Sequence, residues 1–161
     1  MKKLLLLLLI CCAIYSCEEK QKQVNLEKTD TNENGYDSIL AKKVGADKYG
    51  MRKYVIAFLK RGPNRDQDSI TKVNLQRAHM DNIGKLAEAG KLVLAGPFFG
   101  NDDLRGIYIF DVQSIEEAKE LTETDPAIKT GSLIMDLKEW YGSAALKLVN
   151  DNHKKISKVE I

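Results

Sequence analysis

The run Tyr54-Val55-Ile56-Ala57-Phe58-Leu59 contains no charged residue and no strong hydrogen-bonding side chain except the Tyr54 hydroxyl. A strand of this composition is apolar on both faces, which is typical of the centre of a sheet. Such a strand requires a paired neighbour on each side and a covering layer on each face. The run therefore predicts a sheet of at least three strands with both faces buried.

The rest of the region 51–149 predicts two helices and three more strands. Asp68 or Ser69 can cap a helix that reaches about Ala89, and Ser114 with Glu117 forms a capping box for a second helix. The further strands are predicted at 92–95, 104–112 and 133–141. The Asp125-Pro126 step is expected to end or kink the second helix, because proline disfavours helix in the preceding residue.

This order of elements, β-α-β-β-α-β, predicts an α+β fold of the ferredoxin-like type. Right-handed crossovers place both helices on one face of the sheet. The other face then carries apolar residues, either the set with Tyr108 and Phe110 or the alternate set. A second copy packed face to face would cover them, so we expect a homodimer that forms a dimeric α+β barrel.

The N-terminus resembles an export signal. Lys2 and Lys3 precede an apolar run of 12 residues, Leu4 to Tyr15, which is too short to span a bilayer as a helix. Ser16-Cys17 then resembles the lipobox of bacterial lipoproteins, although Tyr15 is unusual in its position. We expect residues 1–16 to be a signal peptide and Cys17 to be lipidated, which would anchor the protein to a membrane of the bacterial envelope. An uncleaved membrane anchor is the alternative.

Two polar segments flank the predicted domain. Residues 17–50 read as a tether in which Ile39, Leu40 and Val44 could form a short docked helix, and residues 150–161 read as a solvated polar tail. All three cysteines lie at or before residue 17, so the domain has neither a disulfide nor a thiolate metal site. Without Lys2 and Lys3 the chain has 23 basic and 23 acidic residues, which argues against a nucleic-acid surface.

Three features of the domain could form a functional site. His79 could be a general acid or base, and Asp125 could orient it. Gly96-Pro97-Phe98 could shape a substrate pocket. Each has a structural alternative: His79 as a buried helix histidine, Asp125-Pro126 as a helix end, and Gly96-Pro97 as a turn between strands. The residues alone leave these alternatives open.

Six short motifs occur in the order and spacing of the YCII-related (YciI-like) domain, and the chain resembles that family over about residues 52–149. The motifs are Arg77-x-His79, Gly90-Lys91-Leu92, Ala95-Gly96-Pro97-Phe98, Gly106-Ile107-Tyr108-Ile109, Glu116-Glu117-Ala118 and Asp125-Pro126. The resemblance implies a dimeric α+β barrel with His79 and Asp125 in its active site. The chain departs from the commoner Asp-Pro-Phe pattern by having Ala127.

Three functions are compatible with this resemblance. The first is an isomerase or lyase without metal or organic cofactor, in which His79 moves a proton on a small cyclic or aromatic molecule. The second is a non-catalytic module that binds a small molecule in the envelope. The third is a purely structural envelope dimer.

Overall fold

The computed structural model describes residues 35–159, so the predicted signal peptide, Cys17 and most of the predicted tether lie outside the described residues. The helices and strands, in chain order, are α1 (Ser38–Val44), β1 (Met51–Arg61), α2 (Ser69–Glu88), β2 (Leu92–Pro97), β3 (Leu104–Phe110), α3 (Ile115–Thr122), α4 (Pro126–Lys129), β4 (Leu133–Ser143), a 3₁₀ helix (Ala144–Leu148) and α5 (Val149–Ile156). Within 35–159, no helix has both the length and the apolar composition needed to cross a bilayer.

The four strands form one antiparallel sheet in the order β2-β3-β1-β4. Strand β1 therefore lies between β3 and β4, and the prediction of a central strand is confirmed. Asp68 caps α2 by accepting from the backbone of Ile70 and Thr71, and Ser114 caps α3. The predicted α+β fold of ferredoxin-like order is confirmed.

The main core lies between the sheet and the helices α2 and α3. Its buried members include Val55, Ala57, Leu59, Tyr108 and Phe110 from the sheet and Leu86 and Ala118 from the helices. Leu133, Met135 and Leu137 of β4 pack against them. The Tyr108 and Phe110 set therefore faces the helices, which the sequence had left undecided.

The opposite face of the sheet is partly covered by the C-terminal segment. Leu146 of the 3₁₀ helix packs against the buried side chains of Tyr54, Val93 and Ile109. The Asn150 amide then donates a 2.8 Å hydrogen bond to the Leu92 carbonyl. Residues 149–156 of the predicted polar tail form the helix α5, which starts against the sheet and buries none of its side chains. The polar composition did not indicate this helix.

A cluster of charges attaches both ends of the described chain to the sheet. Asp111 accepts from Arg52 at 2.5 Å and from Lys147 at 2.6 Å. The Arg52 guanidinium also donates at 2.7 Å to the carbonyl of Val44, the buried residue of α1. Helix α1 is thus docked, but through Val44, since Ile39 is 59% exposed.

Two proline steps differ from their predicted roles. Gly96 and Pro97 lie inside β2, paired with Ile107 and Gly106, instead of forming a turn. Strand β2 is an edge strand, and an edge tolerates the missing N–H of proline. The Asp125-Pro126 step opens the single turn α4, with proline at its first helical position, so it does not kink α3.

Candidate active site

His79 lies on the sheet-facing side of α2. Ile83 and Leu86, four and seven residues later, extend the same face and belong to the main core. The histidine itself is 9% exposed, so its imidazole sits at the boundary of the core. An imidazole buried to this degree must find hydrogen-bond partners for both ring nitrogens.

Asp125 provides the first partner. Its Oδ2 lies 2.7 Å from Nδ1 of His79, across 46 residues of sequence, and the carboxylate is 1% exposed. Its Oδ1 accepts a 2.8 Å hydrogen bond from the backbone N–H of Ala127. Because the backbone of residue 127 makes this bond, the alanine in place of the family aromatic does not disturb it.

Tyr108 provides the second partner, and sequence reasoning missed this role. Its hydroxyl oxygen lies 3.3 Å from Nε2 of His79, and the two rings are stacked with centroids 6.2 Å apart. Burial, and to a lesser degree the Asp125 charge, raises the pKa of the Tyr108 hydroxyl far above its ordinary value. The hydroxyl therefore stays protonated and donates to Nε2. The alternation of Tyr108 with Ile107 and Ile109 showed only that it lies on the opposite face from them, and it gave no sign of this contact.

These contacts select one tautomer of His79. A carboxylate only accepts hydrogen bonds, so Nδ1 bears the proton that Asp125 accepts; in the neutral imidazole, Nε2 then keeps its lone pair. An imidazole held in this way can take a proton at Nε2 while the carboxylate stabilises the cation that forms. Chemically, the arrangement of the three side chains is compatible with proton transfer at Nε2.

Asn82 and Thr124 join the two segments that bring His79 and Asp125 together. Asn82 lies one turn after His79, and its side-chain amide is 3.0 Å from the Thr124 hydroxyl. That hydroxyl also donates to the Leu121 carbonyl at 2.7 Å, and it has only one proton. Its one proton is therefore shared between Asn82 Oδ1 and the Leu121 carbonyl. This bond fixes the loop before Asp125 against α2.

The accessible side of the site lies toward the N-terminus of α2. Lys72 and Gln76, seven and three residues before His79 on the same helix stripe, are exposed. Ala95, which pairs with Tyr108, is exposed as well. The first half of α2 thus leaves this part of β2 uncovered.

The predicted substrate-binding residues lie at this end of β2. Pro97 is exposed, Phe98 is 44% exposed, and Gly96 pairs with Ile107. No hydrogen bond or ring contact described for residues 35–159 joins them to His79 or Asp125. Two clefts, of about 390 and 560 Å³, occur elsewhere on the domain, and neither is lined by His79 or Asp125.

Metal ligands do not cluster at the site. Over the described range, no group of three or more histidine, cysteine, aspartate or glutamate side chains could hold an ion.

Comparison with known proteins finds a family model and a curated relative that match this chain. The YCII-related domain matches residues 57–141. The uncharacterized protein YjpA of Bacillus subtilis (strain 168) is 34% identical over 62 residues, which is 38% of this chain and 71% of the relative.

Among solved structures, the chain is similar to the 5-chloro-2-hydroxyhydroquinone dehydrochlorinase TftG from Burkholderia phenoliruptrix AC1100, in complex with 2,5-dihydroxybenzoquinone. The identity is 20%, the TM-score is 0.42, and the match covers 55% of this chain and 93% of the other. Similarity at this level says nothing about the site residues.

The family match starts within β1 and ends within β4, so it includes part of each of these strands, all of β2 and β3, and the helices between the strands. Both His79 and Asp125 lie inside it. The family resemblance expected from six short motifs is confirmed. This chain belongs to the YCII-related domain family.

Proposed function

We propose that this protein is a small lipid-anchored enzyme of the bacterial envelope, which moves a proton on a small cyclic or aromatic molecule. The reaction is of the isomerase or lyase type. His79 is the acid and base, and Asp125 holds its tautomer. The observation that carries this proposal is the chain Asp125–His79–Tyr108, in which Nε2 keeps its lone pair.

The geometry supports proton transfer better than a purely structural histidine. The bond to Asp125 is short at 2.7 Å, whereas the contact with Tyr108 is long at 3.3 Å. The nitrogen with the longer contact is the one that must exchange a proton with a ligand. A ligand that approaches from the Ala95 side can replace Tyr108 as the partner of Nε2.

The tautomer can be tested without a substrate. In Asp125→Asn, the side-chain carbonyl can still accept from Ala127, and the new NH₂ group then faces Nδ1. We expect the His79 proton to move from Nδ1 to Nε2, where it donates to the Tyr108 hydroxyl. Long-range ¹H–¹⁵N couplings of the imidazole distinguish the two tautomers.

Asp81→Asn is the matched control, since Asp81 is exposed on α2 and its substitution removes the same charge. In this variant His79 should keep the proton on Nδ1. A proton on Nε2 of His79 in the wild-type protein would contradict the assignment. A His79 tautomer that does not change in Asp125→Asn would also contradict it.

The lipid anchor is proposed from the sequence of residues 1–17. A signal peptidase that recognises Ser16-Cys17 would leave Cys17 as an acylated N-terminus. We expect mass spectrometry of the membrane fraction to detect this modified residue. An intact Met1, or a product cut at another position without acyl chains, would show that the anchor is absent.

A homodimer is proposed from the face of the sheet that the helices do not cover. Ile56, Phe58 and Ile107 are half-buried on this face, and Trp140 is 38% exposed. The C-terminal segment covers only the part near Tyr54 and Ile109. We expect the second copy to cover the remainder.

Sedimentation of the full chain in an uncharged detergent should give a dimer mass at micromolar concentration. Ile56→Glu should yield monomers. In the monomer, the introduced carboxylate can pair with Lys138, which lies directly opposite in the same sheet. In the apolar interface of a dimer, the carboxylate would lose its hydration. Ile70→Glu is the control, since Ile70 is 75% exposed on α2. A monomeric wild-type protein would exclude the dimer.

A further inference from the structure

A cleft of about 560 Å³ lies at the end of β1, away from His79 and Asp125. It is lined by Lys60, Arg61, Gly62, Pro63, Arg65, Asp103 and Ile134. Its lining therefore has three cationic side chains and one carboxylate. The cleft is open to solvent along much of its surface.

The two arginines of this cleft are held mainly by uncharged groups. Arg61 donates to the carbonyls of Asn101 at 2.6 Å and Asp102 at 3.3 Å. Arg65 donates to the Ser132 carbonyl at 3.1 Å. Neutral acceptors orient a guanidinium without cancelling its charge. Arg52 is different, because Asp111 neutralises it at 2.5 Å.

The carboxylates near the cleft compensate these charges only weakly. Asp103 lies 3.9 Å from Arg61, and its side chain is 94% exposed, so water screens the pair. Lys60 lies 3.3 Å from Asp136, and both side chains are more than 40% exposed. The cleft is therefore electropositive, although the predicted mature chain has no net charge.

The backbone between Arg61 and Arg65 is firmly attached to the start of β4. The N–H of Gly62 donates to Ser132 at 2.9 Å, and the N–H of Asn64 donates to Gly131 at 3.1 Å. A Cβ at position 62 would lie only 2.0 Å from the Gly131 carbonyl oxygen, so this close approach requires glycine. The two guanidinium groups thus extend from a rigid turn and are arranged before any ligand arrives.

We propose that this cleft is a binding site for a small organic oxyanion, a carboxylate or a phosphate. Arg61 and Arg65 bind its oxygens, since a guanidinium fork matches both groups. Pro63 and Ile134 contact its apolar part. The anion comes either from a free metabolite or from the headgroup of a membrane lipid. The site shares no residue with the His79 site.

The test uses the full chain in an uncharged detergent and three probes: inorganic phosphate, benzoate and dihexanoyl-phosphatidylglycerol. Binding is followed by NMR shifts of the Gly62 and Arg65 amides. Loss of a charge-assisted contact is expected to weaken binding about tenfold in Arg65→Gln. Arg77→Gln is the matched control, because Arg77 is exposed on α2 outside the cleft.

Saturable shifts with phosphate or benzoate, with binding weakened only in Arg65→Gln, would support the site. They would also show that a free anion is sufficient for binding. Shifts only with the anionic lipid, again weakened in Arg65→Gln, would support it with the headgroup as the source. The proposal is overturned if no probe saturates. Equal weakening in Arg65→Gln and Arg77→Gln would also overturn it, because that result shows non-specific attraction.

Discussion

His79→Ala is expected to lower the rate of the proposed proton-transfer reaction by about 10²–10⁴-fold, which is the usual contribution of a general acid or base. The substitution removes the nitrogen that exchanges the proton, while the sheet and its apolar faces stay intact. Asp125→Asn should cause a smaller loss, since the imidazole remains but its orienting charge is gone. The dimer should persist in both variants.

The measurement requires a substrate, which a panel of small lactones and of hydroxylated or chlorinated aromatic molecules can supply. His153→Ala is the matched control, because His153 is exposed on α5 and should leave the rate unchanged. Equal rates in wild type and His79→Ala would exclude the enzymatic mechanism proposed above. Binding of a panel member without turnover in any variant would instead identify a non-catalytic module.

Asp111→Ala is expected to lower the free energy of unfolding by about 3 kcal/mol, the lower end of the range for breaking a buried ion pair. Asp111 has a side chain that is 7% exposed and holds both Arg52 and Lys147. Arg52 would remain largely buried without an anion, and its Nε already lacks a partner in the described part of the chain. Lys147 is 33% exposed and can turn to water, which limits the loss.

Urea unfolding of the full chain can test this value. Asp136→Ala is the control, because Asp136 also pairs with two lysines but is 42% exposed. Exposed pairs contribute at most about 1 kcal/mol, so the control should lose much less. Similar losses in the two variants would mean that the Asp111 cluster does not attach α1 and the 3₁₀ helix to the sheet.

Local pattern was enough to predict most of the fold. The apolar run 54–59 indicated the central strand because a strand in the middle of a sheet has no solvent-facing side. Asp68 and Ser114 indicated where α2 and α3 begin, since a side-chain acceptor at that position satisfies the first backbone N–H groups. The pairing of His79 with Asp125 was expected from the family pattern, not from any local signal.

Local pattern was insufficient wherever the partner of a residue is distant in sequence. Asp125-Pro126 could end one helix or begin another, and only the cap on Ala127 shows that α4 begins there. Residues 149–156 looked like a tail because polarity does not reveal that Asn150 reaches Leu92. Nothing in the sequence around Arg65 indicates its hydrogen bond to Ser132, which orients its side chain in the cleft.

The sequence by itself therefore determined the order of strands and helices, since these depend on contacts within one turn or on the alternation of neighbouring residues. The tertiary structure alone decided which face of the sheet the helices cover, and with it the position of Tyr108 beside His79. It also decided that Asp111 neutralises Arg52 whereas Arg61 and Arg65 bind mainly carbonyls. The environment of a charge depends on helices, strands and loops that come into contact only when the chain has folded. The composition of the sequence does not indicate which of them come into contact.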